Sequence, residues 1–167
     1  MAKKAGTVDP YPRNPEGLKA MNLDRDYVVA KYKALQDRKT EILELEETAD
    51  GWRVTVDREV DANLPDIAKK VIGDTNRLIQ HEVWTKTDDG YVCDMVIDSP
   101  GKPITIKGSM RLTQTGENTS DWAVDFNIKA SVPLVGGKIE SIVADETQAN
   151  LAKEYAFNQE WLADPNH

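Results

Sequence analysis

The sequence predicts an α+β fold in which hairpin-linked strands form an antiparallel sheet with helices on one side, and a long C-terminal helix closes that sheet. Three observations carry the prediction. Stretches of period two recur from residue 40 to residue 132, separated by turn residues such as Asp50-Gly51, Asp88-Asp89-Gly90 and Ser99-Pro100-Gly101. No strand-helix-strand alternation of the kind that builds a parallel sheet is visible. The last strand pattern, W-A-V-D-F-N-I-K-A-S-V from Trp122, runs through P-L-V-G-G into an amphipathic helical pattern ending F-N-Q-E-W-L. A strand that hands its chain to so long a helix supplies a curved sheet with a cover, and the enclosed space becomes the expected place of function.

Each element has a local cause. The residues up to Tyr11 are expected as an edge strand or a poorly ordered start, because Gly6 and Pro10 argue against a regular strand. Asn14 followed by Pro15 starts a short helix reaching about Met21, the Asn side chain capping free N–H groups and the proline sitting where its missing donor costs nothing. Asp24 caps a second helix, in which Tyr27, Val28, Ala30, Lys31 and Leu35 mark a stripe with charged flanks. From Thr40 Ile42 and Glu44 alternate with Leu43 and Leu45, and after the turn Trp52, Val54, Val56, Arg58 and Val60 share one face against Arg53, Thr55, Asp57 and Glu59 on the other. Pro65 opens a short helix carrying Ile67, Val71 and Ile72 and ending at Gly73. Strands are then expected over 77 to 87, 91 to 98 and 104 to 115, with a last loop over 116 to 120. In the final strand Trp122, Val124, Phe126, Ile128, Ala130 and Val132 oppose a largely polar face. One domain over 1 to 167 is expected, with 163 to 167 a tail.

Bulk composition narrows the function classes. The 167 residues are 40% hydrophobic and 30% charged with a formal net charge of -8, which suits a folded soluble protein and disfavours nucleic acid and anionic lipid surfaces. Met-Ala-Lys-Lys is followed by Gly, Thr, Asp and Pro instead of an apolar run, so no export signal is expected. No stretch approaches the ~20 apolar residues of a membrane span, so no stable membrane insertion is expected. A single cysteine fits a reducing compartment, and the expected location is the cytoplasm.

On a helical wheel, residues 138 to 162 place Ile139, Ile142, Val143, Phe157 and Trp161 on one face, with Glu146 and Asn150 in its middle and Lys153 and Glu154 at its margins. Leu151, Tyr155 and Leu162 make a second strip. An unpaired buried carboxylate costs several kcal/mol, so Glu146 must be solvated by a wet cavity, protonated, or paired with a basic residue such as Lys153.

At Ser131 to Glu140, S-V-P-L-V-G-G-K-I-E, followed by the helix ending E-W-L, the chain resembles an uncharacterised bacterial branch of the START-like (SRPBCC) superfamily. R-D-Y-V-V-A-K-Y, V-D-R-E-V-D-A-N-L-P and Q-H-E-V-W support it, and the matches cover nearly the whole chain. The resemblance implies the helix-grip fold, a curved antiparallel sheet wrapped around a long C-terminal helix with two short helices after the first strand. It also implies a deep, mainly apolar cavity used across the superfamily for lipids, sterols, hormones and polyketides. It carries over no functional residue. Pro10 and Pro12 depart from the pattern at the first strand, and a missing strand there would leave an edge open and favour a dimer over a monomer.

Few side chains suggest chemistry. The two histidines, His81 and His167, exclude a multi-histidine metal site, and neither a metal nor a cofactor is expected. His81 could act as a general base on a bound ligand or be an ordinary hydrogen-bonded sheet residue. Cys93 shares a face with Tyr91, Met95 and Ile97 and reads as a small buried hydrophobe. There is no G-x-S-x-G elbow, and Gly136-Gly137 lacks the spacing of a phosphate loop. The expected ligand-binding set is Glu146, Asn150, Phe157, Trp122, Phe126, His81 and Val143. The expected function is non-catalytic binding, transport or sensing of a small hydrophobic or amphipathic molecule. One alternative is a cyclase or dehydratase using Glu146, Asn150 and His81, which requires those groups to converge. The other is a chaperone-associated interaction protein.

Overall fold

The computed structural model describes residues 2 to 167. The described residues form seven strands, the last six from the period-two segments: β1 (Lys3–Tyr11), β2 (Lys39–Glu47), β3 (Gly51–Asp61), β4 (Thr75–Thr87), β5 (Gly90–Asp98), β6 (Ile104–Gly116) and β7 (Thr119–Ala130). They pair antiparallel in the order β1-β7-β6-β5-β4-β3-β2. Helices α1 (Pro15–Asn22) and α2 (Arg25–Ala34) follow the first strand, α3 (Asp66–Ile72) lies between β3 and β4, and α4 (Gly136–Ala163) ends the chain. The caps are those the sequence predicts. Asn14 Oδ1 accepts from Gly17 N at 2.9 Å and Asp24 Oδ1 accepts from Asp26 N at 2.9 Å.

The first strand is more regular than Gly6 and Pro10 suggest. β1 pairs with β7 from Lys3 opposite Ile128 to Tyr11 opposite Ser120. Gly6 permits this approach, since a Cβ there would lie 2.5 Å from Val124 O. The outward edge of β1 is covered by α4: Gln148 Nε2 donates to Gly6 O at 2.9 Å, Gly6 N donates to Gln148 Oε1 at 3.0 Å, and Tyr155 Oη donates to Pro10 O at 3.0 Å. Pro10 O thus points away from β7, and the proline nitrogen lies on that same side, where its missing N–H removes no ladder bond. At Gly6 the side-chain amide of Gln148 stands in for a neighbouring strand.

Even-numbered residues of β3, β4 and β7 and odd-numbered residues of β1 and β5 face the concave side. Trp52 and Trp84, directly opposite in the β3–β4 register, stack at 4.6 Å. With Leu112, Tyr91 and Leu18 of α1 they form a part of the core closed to solvent. A register shift between Ile42 and Glu44 interrupts β2 and leaves Leu43 exposed.

The final strand stops at Ala130, and residues 131 to 135 turn the chain with Leu134 at φ 69°. Gly136 then enters α4 where a Cβ would meet Ala130 O at 2.7 Å. The buried stripe of α4 is turned by less than one residue step (~100°) from the wheel above. Its fully covered side chains include Ile139, Glu140, Ala144, Asn158 and Leu162. Two of these are polar and act as anchors. Glu140, 1% exposed, accepts from Ala130 N at 2.9 Å through Oε2 and lies 4.0 Å from Lys129 Nζ. Among the described residues no helix is long and apolar enough to cross a membrane.

Replacing Glu140 with alanine strands the Ala130 N–H in a dry site and should cost about 1–3 kcal/mol. Glu140→Gln, which keeps an acceptor oxygen, should recover most of that loss. Urea unfolding of the two variants checks both values.

Candidate ligand cavity

Between the concave face and the middle of α4 lies a cavity of about 250 Å³. Its floor is apolar, built by Ile97, Ile106, Met110, Trp122, Val124 and Phe126 from β5, β6 and β7. Its cover is mixed, with Val143, Glu146, Asn150, Leu151 and Tyr155 of α4. Five of the expected binding residues therefore meet here: Trp122, Phe126, Val143, Glu146 and Asn150. Glu146 is half-buried, lines the cavity and has no ion-pair partner among the described residues, so it faces open space rather than a paired cation.

The other two lie elsewhere. Phe157 packs against Tyr27 and Trp161, each with ring centroids 6.1 Å away, and is absent from the lining. His81 is on the opposite face of the sheet, exposed, with Nε2 3.4 Å from Asp98 Oδ2 and Nδ1 3.5 Å from Thr55 Oγ1. The strand parity was legible, but of the two faces of β4 it is Gln80, Glu82 and Trp84 that turn inward. A trio of Glu146, Asn150 and His81 does not converge, and the acid–base scheme built on it fails.

The structure brings to the cavity charged groups that hydrophobic periodicity does not assign to it. Arg58 sits among the valines of the inner face of β3, and Asp37, whose side chain is 1% exposed, meets it with two parallel bonds of 2.7 and 2.9 Å. The end of α2 makes this possible. Gln36 adopts φ 65°, with Gln36 N donating to Lys33 O and Asp37 N donating to Tyr32 O, both at 3.0 Å, and this left-handed exit swings Asp37 back under the sheet. Lys31, on the same helix, lies 3.2 Å from Glu154. Burial opposes its charge, but Glu154 and the neighbouring tyrosines outweigh that and raise its pKa, so the ammonium persists. Both cations lie over the Tyr32 ring, Arg58 Cζ at 4.3 Å and Lys31 Nζ at 4.6 Å from its centroid.

Glu82 is the least expected wall residue. It is 6% exposed and accepts from Trp84 Nε1 at 3.0 Å and from Gln80 Nε2 at 2.8 Å, with no ion-pair cation among the described residues. The far end of the cavity is closed by Asn158 of α4. Tyr27 Oη donates to its Oδ1 at 2.6 Å, and its Nδ2 donates to Tyr11 Oη at 3.0 Å. The available signal for these groups was a charged or amide residue at an apolar-phase position, as with Lys31, Arg58 and Asn158. Cys93 stands opposite Trp84 in the core, and burial, followed by the Glu82 carboxylate, pushes its thiol pKa far up.

A curved seven-stranded antiparallel sheet gripping a long C-terminal helix is the helix-grip fold of the START superfamily. Solved structures share it along nearly the whole chain. The protein TTHA0849 from Thermus thermophilus is 16% identical with a TM-score of 0.66, covering 95% of each chain. A START superfamily protein from Mycobacterium smegmatis is 13% identical with a TM-score of 0.64, covering 98% of this chain and 100% of its own. Truncated norcoclaurine synthase from Thalictrum flavum is 9% identical with a TM-score of 0.66, covering 98% and 95%. At these identities the likeness is one of fold. The sequence model of the family described as "Protein of unknown function (DUF2505)" matches residues 8 to 162, and the chain belongs to that family. No curated protein matches it.

Asp37→Ala leaves the Arg58 guanidinium buried without its carboxylate and should destabilise the protein by about 3–5 kcal/mol. The double variant Asp37→Ala with Arg58→Met should be the more stable of the two, as a denaturant double-mutant cycle will report. Cys93 should resist iodoacetamide in the native protein and react fully in denaturant, which mass spectrometry of the alkylated chain reads directly.

Proposed function

We propose that this chain binds a small hydrophobic or amphipathic molecule in the cavity between sheet and α4, as a carrier or sensor. One observation carries the reading: the cavity has an apolar floor of Ile106, Met110, Val124 and Phe126, while its charged walls are largely satisfied within the protein. An apolar body can lie on that floor, and its polar end can meet Glu146, Asn150 and the far wall, an arrangement typical of small-molecule sites. The fold shared with a START superfamily protein supports the same reading. The single cysteine suits action in the cytoplasm.

Acid–base catalysis on such a ligand is a second reading, favoured by Glu82. A buried carboxylate in the cavity wall, held by the neutral donors Gln80 and Trp84, is placed to take a proton from a bound molecule. Norcoclaurine synthase, an enzyme by name, has the same fold. Turnover of a bound compound that disappears in Glu82→Gln while binding persists would favour this reading over carriage.

Protein purified without detergent should bind the neutral fluorophore N-phenyl-1-naphthylamine, and native mass spectrometry should show one small molecule retained per chain. Filling the floor with Val124→Phe and Ile106→Phe together should weaken the fluorophore by more than about tenfold, given the size of a buried aromatic against the space available. Undiminished binding in a folded double variant would remove the cavity as the site.

A further inference from the structure

We infer that the cavity is built to hold an uncharged carbonyl oxygen, received by the Tyr11 hydroxyl and the Trp122 indole N–H on the wall made by β1 and β7. The inference rests on the cavity-binding reading above and names the group that such a ligand presents.

The argument begins at Asn158. Its contact with Tyr27 is 2.6 Å, a length typical of O–H···O, and its contact with Tyr11 is 3.0 Å, typical of N–H···O. Tyr27 is fully buried, and among the described residues its hydroxyl has no other acceptor, so it donates to Asn158 Oδ1. The amide must then present Nδ2 to Tyr11, whose oxygen becomes an acceptor. The proton of Tyr11 is left to point elsewhere, and no acceptor for it exists among the described residues. Burial raises the pKa of Tyr11, with nearby Glu154 and Asp9 acting in the same direction, so the hydroxyl keeps that proton. The relay from α2 through α4 to β1 therefore fixes Tyr11 as a donor in the cavity wall.

A second donor stands beside it. Trp122 is 5% exposed, lines the same cavity, and its Nε1 is closed to solvent without any hydrogen-bond partner. The Tyr11 and Trp122 rings have centroids 5.3 Å apart. An indole N–H can only donate, and a buried donor without a partner is a destabilising feature that an acceptor would relieve. The rings touch and leave no room between them, so a ligand oxygen would lie at their cavity-facing edge, where a turn of the indole would bring its N–H to the oxygen that the Tyr11 hydroxyl meets.

Charge decides what kind of oxygen this is. The lining contains Asp9, Asp37, Asp61, Glu82, Glu146 and Glu154, against Lys31, Arg58 and Lys153. Arg58 is committed to Asp37 and Lys31 to Glu154, so a carboxylate or phosphate would enter a site with surplus negative charge. A carbonyl oxygen accepts two hydrogen bonds and brings no charge and no proton of its own.

The test uses 2-acetylnaphthalene, its carbonyl-free counterpart 2-ethylnaphthalene, and 2-naphthoate, titrated into wild type, Tyr11→Phe and Trp122→Phe. Each substitution should weaken the acetyl compound relative to the ethyl compound by about 5- to 10-fold, the worth of one hydrogen bond. In wild type the carbonyl stretch of bound 2-acetylnaphthalene should lie below its position in hexane, which needs no variant to fold. Naphthoate should bind more weakly than the acetyl compound. An unshifted carbonyl band with an unmoved affinity ratio overturns the inference while leaving the cavity reading intact, and so does preferred binding of naphthoate. If neither neutral naphthalene binds, the cavity reading fails and the inference falls with it.

Discussion

The arrangement depends on how α4 is attached to the concave sheet. Two buried polar anchors lie about five turns apart along it: Glu140, which receives the Ala130 N–H just where β7 ends, and Asn158, which joins Tyr27 to Tyr11. Between them Gln148 and Tyr155 bind the outer edge of β1. A helix pinned at both ends and along one side need not be packed in its middle, and that middle, from Val143 to Tyr155, is where the cavity lies. Polar residues there, Glu146 and Asn150 among them, are tolerated because the space beneath them is not a dry core.

The charges around the cavity follow the same logic. Burying Arg58 and Lys31 would be prohibitive alone, but each is given its carboxylate by an element the fold must place nearby anyway: Asp37 by the exit of α2, Glu154 by the last turns of α4. Pairing these groups internally is no stronger for stability than an apolar substitute would be. It does fix how α2, β3 and α4 meet, and it leaves the walls polar without leaving them hungry for an anion. The cavity groups without an ionic or hydrogen-bond partner of this kind are then conspicuous: Glu146; Glu82, held only by neutral donors; and Trp122 Nε1.

Much of the fold was legible because its signals are local. Asn14-Pro15 and Asp24 announce helix starts, and the alternation from Trp122 to Ala130 announces a strand with one covered face. Trp122, Phe126, Val143, Glu146 and Asn150 were placed in the cavity from periodicity and the resemblance together. Three things were not legible. The regularity of β1 depends on which side of the strand Pro10 turns to, set by its pairing with β7. The inward face of β4 carries Gln80 and Glu82 while Ile79 and Val83 face outward, so hydrophobicity alone misplaces His81. The apolar residues of α4 centre its wheel to one side of its most buried line, which the polar Glu140 and Asn158 mark.

The central claim is that α4 spans the concave sheet and leaves an apolar-floored space beneath its middle. A crystal of the protein held under xenon pressure tests it most directly, because xenon enters apolar cavities and leaves packed cores empty. The account predicts xenon density between Phe126, Val124 and Val143. Side chains filling that volume, or α4 lying elsewhere than across β1 and β7, would contradict it.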